Sequence, residues 1–138
     1  METNIARSYE NAPRIEAAQT ANKLGISLNP AKKQAYLVVR KGVVCLDISY
    51  MGLMHLAIQS GSIRWGQCFL VHEADAFEIQ GVDQPPKHSR NPFSKDRGPI
   101  VGVYSVVKTT EGDFLTHPMA IDDVYAIRDR SKAWQAFI

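Results

Sequence analysis

The alternation of apolar and polar positions is clearest in the first half of the chain, where it predicts a β-hairpin. Two apolar runs rich in β-branched residues, 35–39 and 43–48, lie on either side of Arg40-Lys41-Gly42. This is a compact hairpin signal with two cations at its tip. Pro30 fixes its own φ angle and predicts a turn just before the first strand.

Helical periodicity predicts three helices. The first covers residues 11–24, with Asn11 as its cap, and residues 1–10 are expected to be a loose lead-in. The second begins at Tyr50, and its buried side is expected to consist of Leu53, Leu56, Ala57 and Ser60. The third begins near Asp122 and continues through Lys132.

Further strands are predicted in the second half. Residues 63–71 and 76–79 are typical of two strands joined by a hairpin turn, and residues 99–109 and 114–116 of a second such pair. Residues 82–98 are expected to form a long basic loop without a regular element, since the stretch QPPKHSRNPFSKDRG has three prolines and four cations. The order of elements favours a single α+β domain, in which an antiparallel sheet built from hairpins carries helices on one face.

Charge is distributed unevenly along the 138 residues, although the net charge is only +2. Residues 31–65 hold five cations and one carboxylate, whereas residues 66–83 hold four carboxylates and no lysine or arginine. Basic blocks that fold onto one face would form a positive groove. The polar opening residues and the lack of a long apolar run favour a cytoplasmic protein without a membrane segment, in which Cys45 and Cys68 are buried, reduced thiols.

Five stretches carry a family resemblance, in one order along the chain: SLNPAKKQAYLVV, the short hairpin, ISYMGLMHLAIQSG, DRGPIVGVYSVVKTTEGDF and IDDVYAIRDRSKA. Together they resemble the RecT / Red beta family of phage single-strand annealing proteins, over most of the chain. The resemblance implies binding of single-stranded DNA and ATP-independent annealing, with an annealed duplex as intermediate. It also implies homo-oligomeric rings or filaments, a partner exonuclease, no cofactor and a C-terminal basic helix that this chain is expected to lack.

Annealing requires that phosphates are neutralised while the bases stay free to pair. The candidate DNA-binding residues are cations expected to converge into one groove: Lys33, Arg40, Lys41, Arg64, Lys87, Arg90, Arg97, Arg128, Arg130 and Lys132. The resemblance implies a role for Lys33 and Lys41, which match basic positions of the family's NP-x-x-K and hairpin-tip motifs. Three tyrosines are candidates to stack bases, although a tyrosine in an apolar run is more often a core residue: Tyr50, Tyr104 and Tyr125.

Two other classes of function stay open from the sequence. A metal-dependent nuclease would use carboxylates such as Asp75 and the Asp122-Asp123 pair, but adjacent aspartates on a helix point apart. The chain has no zinc-ligand spacing, no Gly-x-Ser-x-Gly motif and no phosphate-binding glycine loop, so bond-making catalysis is not predicted. A structural or adaptor phage protein would have no affinity for DNA.

Overall fold

The chain divides into two compact units, Met1–Ser62 and Ile63–Ile138. A computed structural model describes the backbone of residues 2–137 and the side chains of residues 13–136. The described residues combine helices with antiparallel hairpins, which confirms the predicted α+β class. No helix of this described part has both the length and the apolar character that crossing a membrane requires.

The first unit is a helix, a hairpin and a second helix. Its elements are α1 (Glu2–Leu24), a short 3₁₀ helix (Pro30–Lys32), β1 (Ala35–Arg40), β2 (Val43–Ile48) and α2 (Tyr50–Gln59). The hairpin register pairs Ala35 with Ile48 and Arg40 with Val43. The two loop residues, Lys41 and Gly42, have φ angles of 51° and 76°. Two positive φ angles are typical of a type I′ turn, so the predicted hairpin is confirmed.

Small side chains bring α1 close to the hairpin. Ala17 and Ala21 lie one helical turn apart and are both buried, as are Ile26 and Ala35. The predicted start of this helix at residue 11 is wrong, because α1 begins at Glu2 and Pro13 lies inside it. A proline removes one backbone hydrogen bond from a helix interior, but the chain on both sides of Pro13 stays helical.

The helix α2 meets the hairpin through a glycine. Its N-cap is Ser49, whose hydroxyl accepts a hydrogen bond from the Gly52 amide at 3.1 Å and donates one to the Gln34 carbonyl at 3.0 Å. Gly52 is buried, whereas Leu53 is 57% exposed. The predicted start of α2 at Tyr50 is therefore confirmed, but the predicted buried side is wrong at Leu53 and Ser60, which are both exposed.

Over residues 63–137, the second unit consists of five strands followed by two helices. They are β3 (Ile63–His72), β4 (Ala76–Glu78), β5 (Lys87–Ser89), β6 (Ile100–Thr109), β7 (Phe114–Ala120), α3 (Ile121–Asp129) and α4 (Lys132–Phe137). One antiparallel sheet has the order β3-β6-β7, and β4 pairs with β5 in a separate two-stranded sheet.

Four predictions for this unit need correction. The strands β3 and β4 are not a hairpin, since they lie in different sheets, and the partner of β4 is a strand inside the segment predicted to have no regular element. The strand predicted over residues 114–116 is longer, because β7 continues through Pro118 to Ala120. A proline is tolerated there because β7 lies at the edge of its sheet. The last predicted helix is two helices, because α3 ends at Asp129 and α4 begins at Lys132.

Aromatic rings form the core of the second unit. Tyr104 is buried with Val71 and Val106, and its ring stacks on Phe69 with 5.2 Å between centroids. Phe77 of β4 lies 4.6 Å from the Tyr104 ring and so holds the small β4-β5 sheet to the larger one. The prediction of two buried thiols is wrong for Cys68, which is exposed, and Cys45 is only half-buried. Side chains alternate along β3, and the neighbour of Cys68, Phe69, faces the core.

Candidate nucleic-acid interface

Two exposed lysines of the first unit stand on fixed backbone in the left-handed region. Lys33 follows the 3₁₀ helix with φ 52°, and Lys41 opens the hairpin turn with φ 51°. The Lys33 amide donates to the Pro30 carbonyl at 3.2 Å, and the single Ser49 hydroxyl proton is shared between the carbonyls of Lys33 and Gln34. A non-glycine residue is unfavourable in this region by roughly 1–2 kcal/mol, and here turn closure and these bonds offset that cost. The backbone of Lys33 and Lys41 is therefore fixed, whereas their side chains are exposed to solvent.

Arg40 differs from these lysines because it has an acidic partner. Its Nη2 lies 2.7 Å from Oδ2 of Asp47, and both side chains are exposed on the same face of the hairpin. Among the described residues of the first unit, neither Lys33 nor Lys41 has such an ion pair. The charges of Lys33 and Lys41 are thus not neutralised by a described carboxylate, as the charge of Arg40 is.

A buried carboxylate organises the second unit. The Asp75 side chain is 1% exposed and accepts hydrogen bonds from Nε and Nη2 of Arg97, from Nε2 of His88 at 2.9 Å and from the His72 amide at 3.0 Å. On its other side, Nδ1 of His88 lies 3.0 Å from the Tyr104 hydroxyl. The Arg97 guanidinium holds the pKa of Asp75 well below its ordinary value, helped by the bonds from His72 and His88 and opposed by burial.

This arrangement gives Arg97 a structural role. Its side chain is only 18% exposed and is directed to Asp75. The same contacts bear on the nuclease alternative, because the Asp75 oxygens that a metal would need already accept hydrogen bonds from protein groups. Within the described residues, no group of three or more His, Cys, Asp or Glu side chains is placed to hold a metal ion.

Residues 88–97, named here the 88–97 loop, begin and end with residues that bind the same carboxylate, since His88 and Arg97 both donate hydrogen bonds to Asp75. At the apex of this loop the Asn91 side-chain oxygen accepts from the Phe93 amide at 3.0 Å, and the Asn91 carbonyl accepts from the Ser94 amide at 3.2 Å. Phe93 is 91% exposed at this turn, and the exposed cations Arg90 and Lys95 lie before and after it in the chain. Sequence reasoning did not single out Phe93; the Asn-Pro-Phe-Ser stretch signals the turn but not the exposure of the ring.

Arg90 also lines a cavity of about 560 Å³ in the second unit. Aromatic side chains of the sheet, Trp65, Phe69 and Tyr104, form part of its wall. Burial raises the pKa of Tyr104, and the charge of Arg90, which lines the same cavity, opposes that effect.

The remaining predicted cations of this unit have different surroundings. Arg64 lies at a β-bulge of β3 and donates from Nη2 to the Thr110 carbonyl at 3.1 Å. Lys87 is exposed on β5, opposite Glu78 in the register. Arg130 directly follows α3 and Lys132 begins α4, and both are exposed. These positions do not test whether the ten candidate cations converge, so the single groove stays a prediction.

Arg128 is held by aromatic rings. Its guanidinium carbon lies 4.4 Å from the Tyr125 ring centroid and 4.6 Å from that of Trp134, and it pairs with Asp129 at 3.0 Å. Tyr125 and Tyr50 are exposed, so their interpretation as core residues is wrong, whereas it is confirmed for Tyr104.

Comparison with known proteins places the chain in a family. The model of the RecT family matches residues 10–137. The chain is also similar to Protein RecT of Escherichia coli (strain K12), with 28% identity over 128 residues, which cover 86% of this chain and 47% of that protein. It therefore spans about half the length of this relative. Because the family match extends over nearly all of the sequence, the chain belongs to the RecT family.

Proposed function

We propose that this chain binds single-stranded DNA and anneals complementary strands in phage-type homologous recombination, without ATP and without making or breaking covalent bonds. The observation that carries the proposal is the pair Lys33 and Lys41, two exposed ammonium groups on rigid turns of the first unit. Membership of the RecT family agrees with this activity.

The chemistry required is electrostatic. A lysine is a compact point charge that neutralises a phosphate and releases its condensed counterion without reading the base. Contacts of this kind hold a strand by its backbone and leave the Watson–Crick edges free for a second strand. The exposed cations of the second unit add to the same attraction: Arg64, Lys87, Arg90, Arg128, Arg130 and Lys132.

The setting of the reaction is part of the proposal. The chain acts in the cytoplasm as a homo-oligomer, a ring or filament that holds the strand and then the annealed duplex intermediate. Its single strands come from a partner exonuclease that digests one strand of a duplex from the 5′ end. No cofactor enters this scheme, since pairing of complementary strands is itself favourable once phosphate repulsion is reduced.

Fluorescence anisotropy with a labelled single-stranded oligonucleotide at several salt concentrations tests the proposal. The native chain should bind in the presence of a metal chelator, with log K falling linearly with log salt. The double variant Lys33→Asn with Lys41→Asn removes both charges, while asparagine tolerates positive φ. Its salt slope should be shallower by about 1.4, since each phosphate contact to a single strand contributes about 0.7.

The matched control is Lys23→Gln, which removes one exposed charge from the last turn of α1. It should leave the slope within error of the native one. An unchanged slope in the double variant retires these two lysines as phosphate contacts. A strict requirement for a divalent metal, or failure of labelled complementary strands to pair faster with the protein than without it, contradicts the proposed annealing activity.

A further inference from the structure

Phe93 is the most exposed of the large apolar side chains in the described part of the chain, at 91%. A phenyl ring in water forgoes the free energy of burying its apolar surface, which amounts to roughly 25 cal/mol for each Å². A single exposed apolar residue is ordinary on a protein surface, so exposure alone does not indicate a site. Two other features of the 88–97 loop indicate that Phe93 belongs to a binding site.

The first feature is rigidity. Both legs of the loop are bound to one buried carboxylate, through His88 Nε2 and the Arg97 guanidinium on Asp75. The Arg97 carbonyl also accepts from the Ala74 amide at 3.0 Å. At the apex the side chain and the carbonyl of Asn91 close a turn around Phe93. The ring is thus presented outward on a fixed frame, which lowers the entropic cost of using it in binding.

The second feature is the charge beside the ring. Arg90 and Lys95 are exposed on either side of Phe93, and the loop has one carboxylate, Asp96. Contacts between protein subunits are depleted of lysine, which this loop places close to the ring. An aromatic ring between two cations instead suits a polymer that alternates flat bases with anionic phosphates, and proteins that bind single strands combine these two elements.

We propose that Phe93 stacks on a base of the bound single strand, while Arg90 and Lys95 contact phosphates next to that base. This inference rests on the proposed single-strand binding and names a base-contacting residue for it. Stacking tolerates every base, because each has a π face, so the contact would add affinity without sequence preference.

The test compares Phe93→Ala, Phe93→Leu and Phe93→Trp in anisotropy titrations of the whole chain. The ring is exposed, so these variants should keep the native melting temperature. We expect Phe93→Ala and Phe93→Leu to weaken binding roughly tenfold and Phe93→Trp to restore it, because stacking needs an aromatic face and not apolar volume alone. Val82→Ala is the control: it trims an exposed apolar residue just outside the loop and should change nothing.

The salt slope separates the ring from the charges. Phe93→Ala should leave it unchanged, whereas Arg90→Gln with Lys95→Gln should make it shallower by about 1.4. A strand made of abasic sugar-phosphate should bind the native chain and Phe93→Ala equally, since it offers no base to stack on.

Three results overturn the inference. If the native chain binds DNA and Phe93→Ala binds equally well, the ring makes no base contact and the proposed function stands. If Phe93→Ala changes the oligomer size measured by light scattering without DNA, the ring is a protein contact. If the native chain binds no single strand at all, the proposed function fails with it.

Discussion

Asp75 and Arg97 form a bidentate pair, in which Nε and Nη2 of the guanidinium donate to the two oxygens of the carboxylate although 22 residues separate them. The two planar groups match in geometry, which makes such hydrogen bonds stronger than those between neutral partners. The carboxylate lies just before β4 and the guanidinium just before β6, so the pair closes the base of the 88–97 loop. The pair therefore helps to fix the shape of that loop.

Replacing Asp75 by Asn should destabilise the second unit and loosen the 88–97 loop. The amide keeps the size of the side chain but leaves the Arg97 guanidinium, which is 18% exposed, without a counter-charge. We expect a lower melting temperature and faster amide hydrogen exchange in residues 88–97. The control is Asp96→Asn, an exposed carboxylate of the same loop, which should change neither quantity.

The same pair predicts how stability depends on acid. The folded-state pKa of Asp75 is depressed, so its contribution is fully present above the ordinary aspartate pKa of about 3.9. That contribution is lost as the pH falls through the lower folded-state pKa. The melting temperatures of native chain and Asp75→Asn should therefore differ at neutral pH and converge in strong acid. A difference that stays constant down to about pH 2 would contradict a charged Asp75.

Tyr104 predicts how the stability of the fold changes at alkaline pH. Burial raises the pKa of its hydroxyl, so the stabilisation is present below the ordinary tyrosine pKa of about 10 and is lost as the pH rises through the folded-state value. Tyr104→Phe should cost about 1 kcal/mol in urea unfolding near neutral pH, because His88 Nδ1 loses its hydroxyl partner. The cost should shrink above about pH 10. The exposed Tyr125→Phe serves as the control for loss of a hydroxyl and should leave the free energy of unfolding near neutral pH unchanged.

The parts of the fold that the sequence predicts well depend on neighbours in the chain. The hairpin of the first unit needs only a two-residue turn at Lys41-Gly42 and apolar runs of matching length. The start of α2 likewise depends on a local cap, in which the Ser49 hydroxyl accepts from the Gly52 amide three residues later. The sequence also selected Lys33 and Lys41, and the structure shows both to be exposed.

The parts that it does not predict depend on distant partners. Lys87–Ser89 has the composition of a loop and becomes a strand because it pairs with β4 and because His88 reaches Asp75. Arg97 was grouped with the surface cations for the same reason: no local pattern reveals a carboxylate 22 positions earlier. Secondary-structure propensity alone does not predict small elements that are stabilised mainly by contacts with residues distant in the chain.

Gly52→Ala should destabilise the first unit by roughly 1–3 kcal/mol, a typical cost of forcing extra atoms into a packed site. A Cβ on Gly52 would overlap the carbonyl oxygen of Gln34 and lie 2.8 Å from Cγ2 of Ile48. The first of these neighbours is backbone, which cannot rotate away. Gly42→Asn is the matched control, because a Cβ there meets no described atom within 4 Å and asparagine suits the type I′ turn. Chemical denaturation that finds the two variants equally stable would refute the close approach of α2.

Arg128 and Arg130 were equivalent candidates in the sequence, and the structure predicts that they respond differently to lysine. The Arg128 guanidinium lies against the Tyr125 and Trp134 rings, whereas the described surroundings of Arg130 include no such aromatic stack. Arg128→Lys keeps the charge but loses the planar group that stacks on both rings. We expect it to lower stability by roughly 0.5–1 kcal/mol, the range for exposed cation–π contacts, and to change the fluorescence of Trp134, while Arg130→Lys changes neither. Because both variants keep their charge, the salt slope of DNA binding should stay native in each. Equal behaviour of the two variants in unfolding and in fluorescence would show that the stacking of Arg128 does not hold α4 to α3.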